Sequence, residues 1–496
     1  MKKKMIVIGG GLGGISAAIS SAQRGFDVEL FEKNSHLGGK LNVLKKDGFS
    51  FDLGPSIFTL PQIFRPLFEG SGKKMEDYIP LRKLELQWRN FFEDGSVVDL
   101  HEDSALMEAE LDKLSPQSFG EYMKFLAYSK LQYDITNKGY FEKGLDGFWE
   151  FMKFYGLRGT AGLDFWDSMS GAIEKRISHP KLQAIFEYFI KYVGSSAVHS
   201  PAFMNLMPNI QLEYGLWYID GGLYKLAEAL KVRLAECGVK VHLNAEVWEI
   251  QKSEGVVKGV QIKHQDSSTS THSADVVVSN MEIIPAHEKL LGGSQSQLKK
   301  LSRFEPACSG IVLHLGTKVR YPQLAHHNFF YSQNQRAHFH RVFKEYKLPD
   351  DPTIYLVAPT RSDASQAPEG CENIKILPHI PYINDKSPYT YEDCVKLKDS
   401  VLDKLERMGL KDLRKNTIVE DFWTPFDIEK KYYSNKGSIY GVVSDKWTNF
   451  AFKAPKKSEF FKNLYFVGGS INPGGGMPMV VLCGQHVARM ASEDFS

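Results

Sequence analysis

The sequence predicts an α/β protein that combines a Rossmann-like domain, a mixed-sheet domain and a helical region. Three observations support this fold class. A strand–glycine–helix–strand pattern begins at Met5, a second strand that runs into glycines begins at Leu464, and an aromatic-rich stretch of helical pattern lies between them. Apolar strands that alternate with helices are typical of a parallel sheet covered on its faces. A chain of 496 residues also exceeds one compact core, so two or three domains are expected.

The composition is that of a folded globular protein. Apolar residues make up 43% and charged residues 24%, and the formal net charge of +2 gives no reason to expect a nucleic-acid partner. The five cysteines include no C-x-x-C pair, which disfavours a disulfide framework or a thiolate zinc site and fits a reducing cytoplasm. No apolar run reaches the roughly 18–20 residues that a membrane-spanning helix needs. A peripheral position on a membrane stays open.

The first residues allow a second interpretation. The basic start, the apolar run and the small residues that follow resemble the three regions of a secretory signal peptide. Five of the six residues from Gly9 to Gly14 are glycine, however, and would break a helical apolar segment. The pattern also continues directly into a second strand-like segment, so we favour a folded strand.

The opening strand, residues 5–8, runs into glycines with G-x-G-x-x-G spacing. Gly9 lets the chain turn sharply, Gly11 lets the backbone approach a pyrophosphate, and Gly14 allows close helix packing. The helix start offers free N–H groups to phosphates, and Glu32, at the end of the second strand, can accept hydrogen bonds from a ribose. The pattern therefore predicts a dinucleotide cradle. Its residues are Val7, Ile8, Gly9, Gly10, Gly11, Leu12, Gly13, Gly14, Ile15, Ser16, Ala17, Ala18, Ile19, Glu32 and Lys33.

Further glycine clusters follow the cradle and recur near the other end of the chain. A strand at residues 464–467 runs into glycines and then into a helix-like segment at 478–490. A chain that reaches one ligand from both ends suits a long cofactor such as FAD, and Lys40 beside a glycine pair suits a phosphate. The additional predicted cofactor residues are Gly38, Gly39, Lys40, Gly54, Pro55, Ser56, Gly468, Gly469, Pro473, Gly474, Gly475, Gly476, Met477 and Pro478.

Five motifs along the chain resemble the flavin-dependent carotenoid desaturase and oxidase family, which is related to amine oxidases and phytoene desaturases. The motifs are VIGGGLGGISAAI, HLGGK, DLGPS, WYIDGGLYKLAEAL and GGSINPGGGMPMV. The resemblance covers essentially the whole chain. It implies an FAD-binding domain, a mixed-sheet substrate domain and a helical membrane-facing cap, and it places the backbone of Val247 against the adenine.

Other segments resemble the terminal oxygenases of bacterial C30 carotenoid pathways, among them DLGPSIFTLP, FIKYVGSS, YPQLAHHNFF, LPDDPTIYLV and PHIPYI. This resemblance implies FAD-dependent oxidation of the terminal methyl group of diaponeurosporene or diapolycopene to the aldehyde, with onward oxidation to the acid left open. Asn472 stands where desaturase relatives carry a histidine before Pro-Gly, which favours an oxygenase and makes Asn472 the candidate catalytic residue. A desaturase of the same family and a non-catalytic lipid-binding protein of the same fold are the alternatives.

The domains are predicted to be discontinuous. Residues 1–75, 215–290 and 455–496 form the expected FAD-binding domain, residues 76–214 the helical cap with part of the substrate domain, and residues 291–454 the rest of the substrate domain. Only one G-x-G-x-x-G is present, which suggests that the substrate reduces the flavin and that O2 or a membrane quinone reoxidises it. Loss of hydride from a methyl group conjugated to a polyene leaves a delocalised cation, so no strong base is required. The expected location is cytoplasmic, on the inner face of the cell membrane.

Two further patterns each allow two interpretations. On a predicted strand, His338 and His340 share one face and, with Asp350, could form an iron site. We favour a plain hairpin and predict no metal. The aromatic segment at residues 147–159 places Phe148, Phe151, Phe154 and Tyr155 on one stripe of a helix. This helix is expected either to rest in a bilayer interface or to pack on its own domain.

Overall fold

The computed structural model describes residues 2–445 and 451–496. The strands of these residues, in chain order, are β1 (Lys4–Ile8), β2 (Asp27–Phe31), β3 (Val43–Lys46), β4 (Phe49–Asp52), β5 (Leu81–Lys83), β6 (Leu86–Phe91), β7 (Val97–His101), β8 (Trp217–Ile219), β9 (Lys240–His242), β10 (Ala245–Ser253), β11 (Val256–His264), β12 (Thr269–Ser273), β13 (Val276–Ser279), β14 (Ser309–Gly310), β15 (Val312–Thr317), β16 (His327–Phe330), β17 (Ile354–Val357), β18 (Glu372–Ile380), β19 (Thr417–Trp423) and β20 (Leu464–Phe466).

The helices fall mainly between these strands. The α-helices are α1 (Leu12–Gln23), α2 (Ser104–Asp112), α3 (Ser118–Thr136), α4 (Phe148–Gly159), α5 (Met169–Glu174), α6 (Pro180–Glu187), α7 (Leu206–Tyr214), α8 (Tyr224–Glu236), α9 (Ile283–Lys289), α10 (Gln295–Leu301), α11 (Gln335–Phe343), α12 (Tyr391–Arg407), α13 (Leu413–Asn416), α14 (Pro425–Tyr432) and α15 (Met477–Phe495). A π-helix covers Asn137–Lys143, and short 3-10 turns cover Pro61–Ile63, Arg65–Phe68, Met75–Asp77, Tyr188–Val193, Ala202–Asn205, Pro359–Arg361, Ala364–Gln366 and Asn435–Gly437.

A five-stranded parallel sheet in the order β20-β13-β1-β2-β9 forms the centre of the first layer. Its strands are short and apolar, and all four residues of β13 are buried. Such continuous apolar runs are typical of strands covered on both faces. Strands β1 and β20, which lie at opposite ends of the chain, therefore belong to one sheet, as the two glycine-rich patterns predicted.

Helices α1 and α15 pack against each other at this sheet although they lie at opposite ends of the chain. A Cβ atom on Gly484 of α15 would lie 2.6 Å from both the nitrogen of Ala17 and the oxygen of Gly13. The hydroxyl of Ser16 donates a hydrogen bond of 2.6 Å to the carbonyl of Val481. Small residues on both helices permit this close backbone approach, and larger side chains would separate the helices.

The substrate domain contains a mixed sheet in the order β19-β15-β18-β17-β16-β6-β7, to which β14 adds at β18. Neighbouring strands are antiparallel except for β16 and β6, which run parallel. Helices α2, α3 and α5 to α7 cover one part of this sheet and α12 another, and each contact forms an apolar core of its own. The predicted α/β class with a mixed second sheet is confirmed, whereas the exact domain limits remain predictions.

The expected strand around His338 and His340 is wrong, because both residues lie in helix α11. The side chain of Asn334 accepts a hydrogen bond of 3.0 Å from the backbone nitrogen of Ala337 and so caps the helix. Residues two apart on a helix point in different directions, and accordingly His338 is buried while His340 is exposed. The described residues contain no cluster of metal-binding side chains. None of the described helices combines the length and apolar character needed to cross a membrane.

Candidate active site

A cavity of about 350 Å³ lies at the ends of β1 and β13, where glycine-rich loops from both ends of the chain meet. We call it the glycine-loop cavity. The order of the parallel sheet reverses between these two strands, and ligands of such sheets bind at this position. The predicted cofactor residues that line the cavity are Ile8, Gly9, Gly11, Leu12, Gly13, Glu32, Lys33, Gly38, Gly39, Lys40, Gly54, Pro55, Val247, Gly468, Gly469, Gly475, Gly476 and Met477.

The first glycine loop is shaped by contacts that leave no room for side chains. Gly9 adopts a φ of +92°, in the region that favours glycine. A Cβ atom on Gly14 would lie 2.0 Å from the carbonyl oxygen of Gly9, and one on Gly11 would lie 2.7 Å from Nδ2 of Asn280. The cavity wall at this loop is therefore exposed backbone, which a phosphate group can approach closely.

Two helix starts face the same cavity without a capping side chain. Helix α1 begins after Gly11 and helix α15 after Gly476, and neither N-terminus receives a side-chain hydrogen bond from the described residues. Neither helix carries an acidic residue in its first turn. The N–H groups and the positive end of each helix dipole are thus available to an anionic ligand.

Glu32 is positioned at the end of β2 by three hydrogen bonds. Its Oε2 atom accepts one of 2.7 Å from the backbone nitrogen of Gly10. Its Oε1 atom accepts two of 2.8 Å from the backbone and side-chain nitrogens of Asn34. Glu32 is 95% buried yet lines the cavity, so its remaining acceptor capacity faces the cavity, and the predicted ribose contact remains a prediction.

Lys33 and Lys40 line the cavity in different ways. The ammonium group of Lys40 donates to the carbonyl of Ser438 at 3.1 Å and lies 3.5 Å from Glu282. That of Lys33 lies 3.3 Å from the ring centre of Tyr433. Burial lowers the pKa of both lysines. Lys40 therefore joins the second glycine pair to the substrate domain, and its predicted phosphate contact remains a prediction.

Val247 lies at an irregular point of the β10–β11 ladder. Val247 pairs with Ile262, but the next pair is Glu249 with Gln261, so residue 248 forms a bulge. A bulge leaves backbone groups unpaired and directs them away from the ladder. This geometry is compatible with the predicted backbone contact to an adenine ring.

Several predicted cofactor residues do not line the glycine-loop cavity. Ser16 and Ala17 contact α15, and Gly10 and Gly14 shape the loop from behind. Pro473 and Pro478 line a second cavity. Of the remaining residues Ser56 is half-buried, and the others are buried in the core beneath the sheet or beside the loops; they are Val7, Ile15, Ala18, Ile19 and Gly474. Ser56 accepts a hydrogen bond from Lys375 at 3.1 Å.

Asn472, the candidate catalytic residue, is 99% buried and lines neither cavity. Its Oδ1 atom accepts hydrogen bonds from the Tyr140 hydroxyl at 2.9 Å and the Lys453 nitrogen at 2.7 Å. Its Nδ2 atom donates to the carbonyls of Asp146 and Lys453. The amide is fully engaged with the protein, so its structural environment is that of a positioning group.

The sequence patterns did not reveal several residues of the cavity. Asn280 ends β13 and lies between two glycine loops, where the carboxyl end of a buried parallel strand could have indicated it. Lys375 reaches the cavity from β18, and burial lowers its pKa to about 8. Lys375 donates to the carbonyls of Asp52 and Gly54 and thereby fixes the predicted DLGPS segment. The aromatic residues missed are Trp423, Tyr432, Tyr433 and Tyr440.

A second cavity, of about 450 Å³, is lined mainly by apolar side chains, and we call it the aromatic cavity. It lies between the helical region and the loop at residues 473–479. Gly475 and Gly476 line both cavities, so the two spaces adjoin at this loop. The other apolar and aromatic residues of its wall include Leu60, Phe141, Phe148, Phe151, Met152, Leu163, Phe165, Phe203, Met204, Leu206, Met207, Ile210, Phe452 and Met479.

The predicted aromatic stripe of α4 is divided between two roles. Phe148 and Phe151 line the aromatic cavity, whereas the Tyr155 hydroxyl accepts a hydrogen bond of 2.8 Å from the nitrogen of Gly139. Gly156 leaves the helical conformation, so the stripe ends within the segment. One side of the helix therefore contributes to the cavity, while Trp149 and Phe154 are exposed.

The glycine cradle, the uncapped helix starts and the buried acid fit a dinucleotide cofactor and define a nucleotide-dependent oxidoreductase. The chain belongs to the family described as flavin containing amine oxidoreductase, which it matches over residues 12–491. This membership confirms the predicted FAD cofactor and the oxidoreductase class. The individual residues that hold the cofactor remain a prediction.

Relatives of known activity resemble the chain over nearly its full length. The chain is 58% identical over 486 residues to a 4,4'-diapolycopene oxygenase of Methylomonas sp, covering 98% of this chain and 97% of that protein. It is 52% identical over 490 residues to the 4,4'-diaponeurosporene oxygenase of Staphylococcus aureus strain USA300, covering 98% of each.

Solved structures share the fold at low sequence identity. An oxidoreductase from Methanosarcina mazei superposes with a TM-score of 0.64 at 16% identity, covering 98% of this chain and all of that one. A putrescine oxidase variant superposes with a TM-score of 0.64 at 13% identity, covering 99% of each chain. These similarities support the fold.

Proposed function

We propose that the protein oxidises the terminal methyl group of a C30 carotenoid, 4,4'-diaponeurosporene or 4,4'-diapolycopene, to the aldehyde in an FAD-dependent reaction. The names of the two relatives support this substrate class. The observation that carries the proposal here is the aromatic cavity, which adjoins the glycine-loop cavity at Gly475 and Gly476. A carotenoid has no charged group, so an apolar cavity that ends beside the cofactor is what its binding requires.

The protein contributes binding, orientation and exclusion of water. When bound, the flavin supplies a two-electron acceptor. Side chains such as Phe203 and Met207 line the aromatic cavity and stabilise the polyene by burial. The loop at Gly475 and Gly476 has no side chains that would separate the end of the polyene from the cofactor. The predicted route by hydride loss needs no strong base at the methyl group.

Product analysis tests this proposal directly. Expression in a cell that makes 4,4'-diaponeurosporene, followed by mass spectrometry, should show the terminal aldehyde. Additional double bonds without oxygen would instead support the desaturase alternative. Unchanged carotenoid from a protein that contains its full complement of FAD would refute both enzymatic activities and support the non-catalytic lipid-binding alternative.

We further propose that the protein binds a membrane surface and takes its substrate from it. Trp149 is 82% exposed and follows Phe148, and Trp166 is 80% exposed and follows Phe165. Phe148 and Phe165 line the aromatic cavity, so the exposed indole rings mark its outer side. Indole rings favour the headgroup region of bilayers. Trp149→Ala with Trp166→Ala should weaken sedimentation with lipid vesicles, and Trp248→Ala, at another exposed tryptophan, should not.

The electron acceptor and the source of oxygen complete the proposal. Either O2 or a membrane quinone reoxidises the flavin, and turnover without O2 in the presence of a quinone distinguishes them. Labelled water should transfer its oxygen to the product if hydride loss comes first. Incorporation of an atom from O2 would overturn the hydride route while leaving the oxygenase assignment intact.

A further inference from the structure

Ser444 is one of the few polar residues on the wall of the aromatic cavity, and it is held by a buried lysine. The Lys453 ammonium donates a hydrogen bond of 2.5 Å to the Ser444 hydroxyl. Both side chains belong to residues that are 97% buried. Among the described residues, no carboxylate forms an ion pair with Lys453, although burial of an unpaired amine is costly. Packing alone therefore does not explain why a lysine is buried at this position.

Neighbouring groups fix the position of the pair beside the loop that borders both cavities. The backbone nitrogen of Ser444 donates to the Ser195 hydroxyl at 2.8 Å, and the Ser200 hydroxyl donates to the Ser444 carbonyl at 2.8 Å. The backbone nitrogen of Lys453 donates to Asn472 at 2.7 Å. A Cβ atom on Gly474 would lie 3.2 Å from Cε of Lys453, so the lysine side chain packs on this loop. The pair thus lies at the cofactor end of the aromatic cavity.

Other hydroxyl groups also line this wall, those of Thr59, Thr136, Tyr140, Thr160 and Tyr192. The Tyr140 hydroxyl donates to Asn472 at 2.9 Å, and the Tyr192 hydroxyl donates to Gln211 at 2.5 Å. The Thr136 hydroxyl has no hydrogen-bond partner among the described residues and is a rival polar group of the cavity. It belongs to the end of α3, whereas Ser444 is attached to the loop at the cofactor end.

We propose that the Ser444–Lys453 pair binds the oxygen atom of an oxygenated polyene end, the alcohol or aldehyde formed at the terminal carbon. This inference rests on the proposed function. A hydroxyl group without a hydrogen-bond partner in an apolar cavity is destabilised, and the pair removes this penalty. The end group then stays beside the cofactor for a second oxidation. An unoxidised methyl group forms no hydrogen bond with the pair and is not held in this way.

The chemistry of the pair suits both an alcohol and an aldehyde. Burial lowers the pKa of Lys453 to about 7, so the amine and the ammonium forms are both present near neutral pH. The ammonium form donates to the Ser444 oxygen, which leaves the serine proton free to bond an aldehyde oxygen. The neutral amine can instead accept the serine proton, which leaves the Ser444 oxygen free to accept from an alcohol.

The test compares two ligands on the flavin-loaded protein: a C30 polyene alcohol and the C30 polyene hydrocarbon of the same length. Dissociation constants are measured from the change in polyene absorption on binding. The wild-type protein should bind the alcohol about tenfold more tightly, as one hydrogen bond of ordinary strength predicts. Ser444→Ala and Lys453→Met should abolish this preference while binding the hydrocarbon as before. In turnover, Ser444→Ala should release a larger fraction of alcohol relative to aldehyde.

Thr136→Val is the matched control, because it removes a hydroxyl from the same cavity wall outside the pair. It should retain the preference for the alcohol. Retained preference in Ser444→Ala, or its loss in Thr136→Val, would overturn the assignment. A wild-type protein that binds both polyenes equally would overturn it while leaving the proposed function in place, and one that binds neither would contradict the proposed function itself. The readout is the ratio of two affinities measured on the same protein. A general loss of stability lowers both affinities and therefore does not change this ratio.

Discussion

The glycine-loop cavity and the aromatic cavity share Gly475 and Gly476 but are built in different ways. The first is walled largely by backbone, and its shape depends on positions where a single added carbon would collide with another loop. The second is walled by side chains from segments far apart in the chain. A charged cofactor needs N–H groups in fixed positions, whereas an apolar ligand needs only a cavity that is large enough and excludes water. The first cavity should therefore tolerate less change than the second.

The largest effect is expected from adding one methyl group to the glycine loop. Gly14→Ala would place its Cβ atom 2.0 Å from the carbonyl of Gly9, so the loop must open. We expect FAD content to fall at least ~100-fold and the free energy of unfolding to fall by about 1–3 kcal/mol. Flavin absorbance and thermal unfolding measure the two effects. Gly120→Ala in α3, with no atom within 4 Å of the added carbon, should leave FAD content unchanged and should not lower the free energy of unfolding.

Filling the aromatic cavity should separate substrate turnover from cofactor binding. Ile210 lines this cavity but not the glycine-loop cavity, so Ile210→Trp should block the polyene. We expect kcat/KM to fall by roughly 30-fold, which corresponds to about 2 kcal/mol, with FAD content unchanged. Ile418→Trp, at an exposed position, is the control. Loss of FAD from Ile210→Trp would show that the two cavities are not independent.

Removing the acid at the end of β2 should weaken the cofactor without loss of fold. Glu32→Ala deprives the Gly10 nitrogen of its acceptor and removes the expected ribose partner. The dissociation constant for FAD should rise about tenfold, as loss of hydrogen bonds to a charged group predicts. Glu29→Ala alters the same strand outside the cavity and should bind FAD normally. Equal affinity in both variants would refute the role of Glu32.

The last effect concerns pH and Lys375, which reaches the cavity from β18 and bonds to the loop at Asp52 and Gly54. Burial lowers the pKa of folded Lys375 to about 8, whereas an unfolded lysine titrates near ~10.4. Between these values the unfolded state binds more protons, so the free energy of unfolding should rise with pH by about 1–3 kcal/mol. Denaturant unfolding at several pH values between ~8 and ~10.4 measures the rise. Lys375→Met should lack this rise, and an identical pH dependence in both proteins would contradict the assignment.

The difference between the cavities also explains how much the sequence could predict. The parallel sheet, its two glycine loops and the residues from Gly9 to Gly13 follow from local spacing, because backbone geometry there depends on neighbours in sequence. Lys375 and Tyr440 reach the same cavity from the substrate domain, and no local pattern marks them. His338 was misplaced because a polar helix cap at Asn334 overrode an alternation that suggested a strand.

The walls of the aromatic cavity were still harder to predict. Phe151 of α4 and Phe452 lie far apart in the chain, yet both line this cavity with their ring centres 6.3 Å apart. An aromatic residue in a core and one at a cavity wall have the same pattern in sequence. The pairing of Ser444 with Lys453 likewise depends on how two loops come together, which spacing does not reveal.

The contact between α1 and α15 has a consequence for biosynthesis. The helix that closes the cradle through Gly484 is synthesised hundreds of residues after its partner around Ala17. A nascent polypeptide therefore exposes an incomplete cradle until α15 has been made. Coenzyme capture can be completed only from that point on, so the cellular supply of FAD should govern how much newly made protein escapes proteolysis.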